Sequence, residues 1–194
     1  MITLIYGGSS SGKSSYAEDY VCKLNFKNRY YLATMVAYDE ESKERVKRHR
    51  ELRAGKDFVT LEHSVDITEA IPEILTVDSG DFSTDSSLPQ EDIILLECMS
   101  NLVANEMFRD GQVFSSDYCI SKIIDDLKEL HEKVSNIVIV TNNVFEDSTE
   151  YDEGTKDYLR ALGKINQSIS AMADEVYEVV VGIAIPVKEK GRML

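Results

Sequence analysis

Eight residues near the start of the chain carry its clearest chemistry: Gly7, Gly8, Ser9, Ser10, Ser11, Gly12, Lys13 and Ser14. They fit G-x-x-x-x-G-K-[ST], with an apolar stretch before them and a helical pattern after them. Glycines let the backbone curl so that successive N–H groups point at phosphate oxygens. Lys13 brings positive charge to β- and γ-phosphates, and Ser14 brings a hydroxyl to Mg²⁺. The following helix adds its positive N-terminal end. A plain Gly/Ser turn with an incidental lysine would not need both the strand and the helix.

A triphosphate site needs a second acid on its metal side. Ile93-Ile94-Leu95-Leu96-Glu97 is an apolar run ending in a carboxylate. Parallel sheets bind ligands at the carboxyl ends of their strands. Glu97 is therefore expected next to the loop, on the Mg²⁺ with Ser14, directly or through water. The competing reading is a strand-end acid facing solvent.

His49 is the third candidate. The segment Arg45-Val46-Lys47-Arg48-His49-Arg50-Glu51-Leu52-Arg53 gathers cations in a chain of net charge −14. So basic a segment in so acidic a protein points to a phosphate partner. Neutral imidazole can attack phosphorus, and adjacent cations would stabilise the developing charge. Spacing alone favours a solvated helix face slightly over a nucleophile. His63, at a strand end, and His131, in a charged helix, read as surface residues.

The elements that must position these groups alternate along the chain. Strands are expected over Ile2–Tyr6, Arg29–Ala33, Phe58–Glu62, Ile93–Glu97, Ile137–Thr141 and Val176–Gly182. Helices are expected over Lys13–Leu24, Glu40–Ala54, Ile67–Leu75, Ser100–Phe108, Asp117–Lys133 and Thr155–Met172, with Asp39 and Asp117 as caps. Ile93–Leu96 and Ile137–Val140 are apolar on both faces, as in a sheet covered on both sides. The pattern predicts a P-loop α/β fold with a mostly parallel sheet, one domain over residues 1–194. Asp78–Asp92 and Phe145–Gly154 read as surface loops. The second, at the carboxyl end of a strand, is also placed to act as a substrate lid.

Composition narrows the function. The chain has 194 residues, 43% hydrophobic and 29% charged, which describes an ordinary globular protein. The negative charge argues against nucleic acid and anionic lipid as partners. No apolar run approaches the roughly 20 residues of a membrane span. The first residues read as a strand and not as a signal peptide. Three cysteines, oddly spaced, give no disulfide framework, so a reducing cytoplasm is expected.

Together these pieces resemble the bifunctional adenosylcobinamide kinase / adenosylcobinamide-phosphate guanylyltransferase family over nearly the whole chain. Its G-G-x-x-S-G-K-S loop is matched by Gly7–Ser14, and its Y-[IL]-A-T strand by Tyr31-Leu32-Ala33-Thr34. Its D-x-E-M-x-x-R-I-x-x-H is approximated from Asp39 to His49, with Ser42 in place of the methionine. Thr60-Leu61-Glu62 matches T-x-E, and Ile94–Cys98 an apolar strand ending in [DE]-C. Further on, Val140-Thr141-Asn142, Gly163–Gln167 and Ala173–Val176 match V-T-N, G-x-x-N-Q and A-D-E-V. After V-T-N the family continues E-V-G-x-G-I-V-P, whereas this chain reads Asn143-Val144-Phe145-Glu146-Asp147-Ser148. The family's F-R-D before G-x-x-N-Q is here Tyr158-Leu159-Arg160.

The resemblance implies a P-loop fold and two activities. One phosphorylates the aminopropanol hydroxyl of adenosylcobinamide with a nucleoside triphosphate, GTP or ATP, with Mg²⁺. The other moves GMP from GTP onto that phosphate through a guanylylated histidine, which maps to His49. The resemblance carries guanine-nucleotide contacts to Gly7–Ser14, to Ala33, Thr34 and Met35, to Arg50, Glu51, Leu52 and Arg53, and to Glu62 and Glu97. It also implies a homo-oligomer, a trimer. Two other readings stay open. One is a different P-loop small-molecule kinase with His49 on the surface. The other is a nucleotide-binding regulatory module that has lost the acceptor site, which the altered stretch after Asn142 would favour.

Overall fold

The computed structural model describes residues 1–37, 39–77, 91–145, 150–189 and 192–193. Its strands are β1 (Ile2–Gly7), β2 (Asn28–Ala33), β3 (Phe58–Glu62), β4 (Asp92–Glu97), β5 (Ile137–Asn142), β6 (Glu175–Val180), β7 (Ile183–Glu189) and β8 (Arg192–Met193). Its helices are α1 (Lys13–Lys23), α2 (Glu40–Arg53), α3 (Ala70–Val77), α4 (Met99–Met107), α5 (Ser116–Lys133) and α6 (Glu153–Met172).

The described strands all lie in one sheet, in the order β3-β2-β4-β5-β1-β6-β7-β8. Those from β3 to β6 run parallel, and β7 and β8 are antiparallel. Alternation in β4 explains the two layers. Ile94 and Leu96 face a core shared with α3, α4, α5 and α6, while Ile93 and Leu95 face Ala17 and Val21 of α1. All four β4 side chains have no solvent exposure. Truncating any of them to Ala would cost about 2–5 kcal/mol. Register aligns the carboxyl ends: Gly7 pairs with Asn142, and Ala33 with both Glu97 and Glu62. The doubly apolar runs thus set one edge on which the polar residues converge.

Several boundaries differ from the sequence expectation. The expected helix Ile67–Leu75 starts as a 3₁₀ turn, Ile67–Glu69, before α3. Ser115, not Asp117, caps α5, accepting from the Tyr118 amide at 3.3 Å, and Asp117 lies inside the first turn. Asp39 precedes α2, where its carbonyl accepts the Lys43 amide at 3.0 Å. Of the two expected loops, residues 78–90 and 146–149 lie outside the described residues. Asp92 belongs to β4, and Glu153 and Gly154 to α6, capped by Asp152.

The last expected strand stops at Val180. Val181 and Gly182 form the turn into β7, which the sequence reading missed. β7 contains Pro186 beside a register shift and has no buried residue, so no apolar alternation marks it. His63 and His131 are not plain surface residues either. The His63 side chain is only 14% exposed, and its Nε2 lies 2.6 Å from Glu73 Oε1. His131 is half-buried near the N-terminal ammonium, and burial lowers its pKa.

Candidate active site

The phosphate loop leaves β1 at Gly7 and enters α1 at Lys13. A Cβ on Gly7 would sit 2.5 Å from the Val179 carbonyl oxygen and 2.7 Å from Ser11 Oγ, so only glycine fits. Gly12 has φ +91°, the left-handed region, as it turns the chain into α1. Lys13 is 8% exposed, and its Nζ donates to the Gly8 carbonyl at 3.0 Å, bridging the loop. Ser11 Oγ is buried with no hydrogen-bond partner. From the other side, the Gly182 amide donates to the Ser11 carbonyl at 2.7 Å.

Beside the loop, the Ser14 hydroxyl donates to the Glu97 carboxylate. The apolar strand β4 delivers that carboxylate to its carboxyl end, where the sequence placed it. Serine and carboxylate oxygens are hard donors of the kind Mg²⁺ takes when phosphates and water complete its shell. Among the described residues no three His, Cys, Asp or Glu side chains gather into a metal cage. That donor set fits an ion that arrives with a triphosphate.

A cleft of about 400 Å³ opens over this edge. Lys13, Ser14, Ala33, Met35 and Glu97 line it from the sheet side. Arg50 and Arg53 of α2 and Glu62 of β3 close the other side. Arg50 pairs with Glu62. Arg53 is 7% exposed, with its guanidinium carbon 3.5 Å from the centre of the Tyr31 ring. Its Nη1 is buried without a hydrogen-bond partner, a cationic donor on the cleft wall. Burial, with the Glu97 carboxylate nearby, holds the Tyr31 phenol well above its usual pKa, so it stays neutral. Just beyond α2, Lys56 bonds Glu18 and Asp19 of α1, each at 2.9 Å.

Not every expected contact reaches the cleft. Thr34 is fully buried and exchanges two 2.8 Å hydrogen bonds with the Cys98 backbone. Glu51 is exposed, 3.9 Å from Lys47. His49 belongs to α2, four residues before Arg53, about one helical turn. The side chains of Arg45, Arg48, His49 and Leu52 lie outside the described residues. Thr60, Ser64, Asn101 and Asn142 also line the cleft. The reading from sequence did not assign them a role. Asn142 had a signal, since it ends an apolar strand neighbouring the loop strand; Ser64 and Asn101 had none.

The arrangement can hold a nucleoside triphosphate on loop amides and Lys13, with a cation at Ser14 and Glu97 and guanidinium charge opposite. A family model for "Cobinamide kinase / cobinamide phosphate guanyltransferase" matches residues 3–187. The "Bifunctional adenosylcobalamin biosynthesis protein CobU" of Salmonella typhimurium is 27% identical over 197 residues, covering 97% of this chain and 100% of its own. The protein of the same name from Escherichia coli K12 is 27% identical over 199 residues, with the same coverage. Among solved structures, an ATPase domain matches 91% of this chain and 68% of its own, with TM-score 0.53 and 14% identity. That last likeness supports the P-loop fold alone. By the family match across nearly its whole length, this chain belongs to the cobinamide kinase / cobinamide phosphate guanyltransferase family.

Proposed function

We propose that this chain carries out both steps its family is named for, in the cytoplasm, as a single P-loop domain assembled into a trimer. In the first, the hydroxyl oxygen of adenosylcobinamide attacks the γ-phosphorus of GTP or ATP. The bond to the β-phosphate oxygen breaks, the nucleoside diphosphate leaves, and the hydroxyl proton is lost. Loop amides and Lys13 hold the phosphates in line. Ser14 and Glu97 would hold Mg²⁺, which neutralises phosphate charge when bound.

In the second step, a neutral His49 ring nitrogen attacks the α-phosphorus of GTP and pyrophosphate departs. A phosphate oxygen of adenosylcobinamide phosphate then attacks the same phosphorus. The P–N bond breaks, giving adenosylcobinamide-GDP and free His49. The attack needs the His49 ring in its neutral form, since only that form offers a free lone pair on nitrogen. Arg50 and Arg53 are placed to meet charge on the transferring phosphate.

One observation carries this reading. Lys13 and Ser14 at the end of the phosphate loop, Glu97 bonded to Ser14, and Arg50 and Arg53 of the histidine-bearing helix line a single cleft. The test is incubation with α-labelled GTP. A protein–GMP adduct that is acid-labile and alkali-stable, discharged by adenosylcobinamide phosphate, is expected. Another P-loop kinase would form no adduct, and a regulatory module would bind GTP without turnover of either corrinoid.

A further inference from the structure

A second cavity, of about 440 Å³, lies on the opposite face of the sheet, between α6 and strands β1, β5 and β7. Its walls include Tyr6, Asn143, Phe145, Gly163 and Asn166. Asn142 lines both this cavity and the triphosphate cleft. The two spaces therefore share a wall residue at the end of β5. There Asn142 pairs with Gly7, the first residue of the phosphate loop, and the Asn143 amide donates to the Gly7 carbonyl at 2.8 Å.

We propose that this cavity receives the hydroxyl-bearing arm of the acceptor, an amide-rich corrinoid, and aims it at the phosphate loop. This rests on the two-step reading above. Size sets what enters. Pockets for drug-sized ligands run from about 300 to 1,000 Å³, so this one takes an arm and leaves the macrocycle outside. The lining matches such an arm. Apolar walls suit its aliphatic carbons, and side-chain amides are the kind of group that pairs with amides. The Thr141 hydroxyl donates to Asn166 Oδ1 at 2.9 Å, which fixes that amide and leaves its Nδ2 for a ligand.

Gly163 creates part of the space. A Cβ there would stand 3.5 and 3.7 Å from two carbons of the Phe145 ring, so Phe145 lies across the glycine as an apolar lip. That lip is 46% exposed. It sits in the stretch where this chain departs from the family's E-V-G-x-G-I-V-P. Asn143 and Phe145 thus bring part of that departure to the cavity wall.

The test separates acceptor from nucleotide. Gly163→Leu would fill the cavity, and Phe145→Ala would remove the lip from an exposed position that the fold does not need. Both are assayed for adduct formation with GTP alone, for KM toward adenosylcobinamide, and for direct binding of cobinamide followed by its visible absorbance. Adduct formation should stay within about twofold of the parent, while KM for adenosylcobinamide rises about tenfold in Gly163→Leu and less in Phe145→Ala. Unchanged KM and unchanged cobinamide binding in both variants, with normal turnover by the parent, would overturn the assignment and leave the two-step reading standing. A parent protein that forms no adduct and turns over no corrinoid would instead overturn that reading.

Discussion

The phosphate loop and helix α2 serve one cleft but are built in opposite ways. The loop is locked from every side. β1 holds it in the middle of the sheet, Lys13 bridges it to the Gly8 carbonyl, and the β6–β7 turn grips Ser11. α2 has only Val46 and Leu52 as apolar residues among its fourteen. Among the described residues its tertiary contacts include Arg53 on Tyr31 and Arg50 with Glu62 in the last turn, and Lys56 just beyond bonds Glu18 and Asp19. Groups that orient phosphate must be fixed before the ligand arrives. A group that attacks a ligand and then gives up its cargo can ride on an element hinged at one end. On the two-step reading proposed above, the loop is the anchor and α2 the arm.

The largest effect should follow from breaking the anchor. Lys13→Ala is expected to lower both kinase turnover and GMP-adduct formation by about 100–1,000-fold, because both use the same phosphate clamp. Near-normal GTP affinity with full turnover would refute the loop assignment. Breaking the arm should instead split the activities. His49→Ala should lose the adduct and guanylyl transfer while kinase turnover stays within about threefold of the parent. An adduct that survives in His49→Ala would move the nucleophile to His63 or a lysine.

A smaller loss is expected at the junction of loop and sheet. Glu97→Gln should slow Mg²⁺-dependent turnover by about 10–100-fold, with thermal stability nearly unchanged. If the protein unfolds and its folded remainder is fully active, Glu97 is structural. The smallest effect tests the hinge. Arg53→Lys keeps the charge but loses the planar stack on Tyr31, worth about 0.5–2 kcal/mol. Amide exchange in α2 should accelerate while exchange in α1 does not, and GTP should slow exchange in α2 of the parent. Equal acceleration in both helices would mean that the two regions move as one.

The same contrast explains what the sequence disclosed. The loop was legible because G-x-x-x-x-G-K-S is local and lies between an apolar strand and a helix. The position of Glu97 was legible because the last residue of a parallel strand falls at the sheet's carboxyl edge, where β1 also ends. Basic clustering marked α2, yet nothing in its periodicity says which way a polar helix points. The Arg53–Tyr31 stack joins α2 to β2, and only the packing of that helix on the sheet reveals it. Pro186 and the pattern without a buried residue hid β7, and with it the turn at Ser11. The second cavity is empty space bounded by α6 and three strands, so no single segment announces it.

That turn has a consequence for the loop's electrostatics. Within a trans peptide the carbonyl and the next amide point in opposite directions. The Gly182 amide draws the Ser11 carbonyl toward the hairpin. The N–H of Gly12 must then point the other way, away from the hairpin, to the side on which the proposed triphosphate would be held. One dipole of the anion cradle is therefore aimed by a residue near the far end of the chain. Its orientational cost is met when β7 pairs with β6, before any nucleotide is bound.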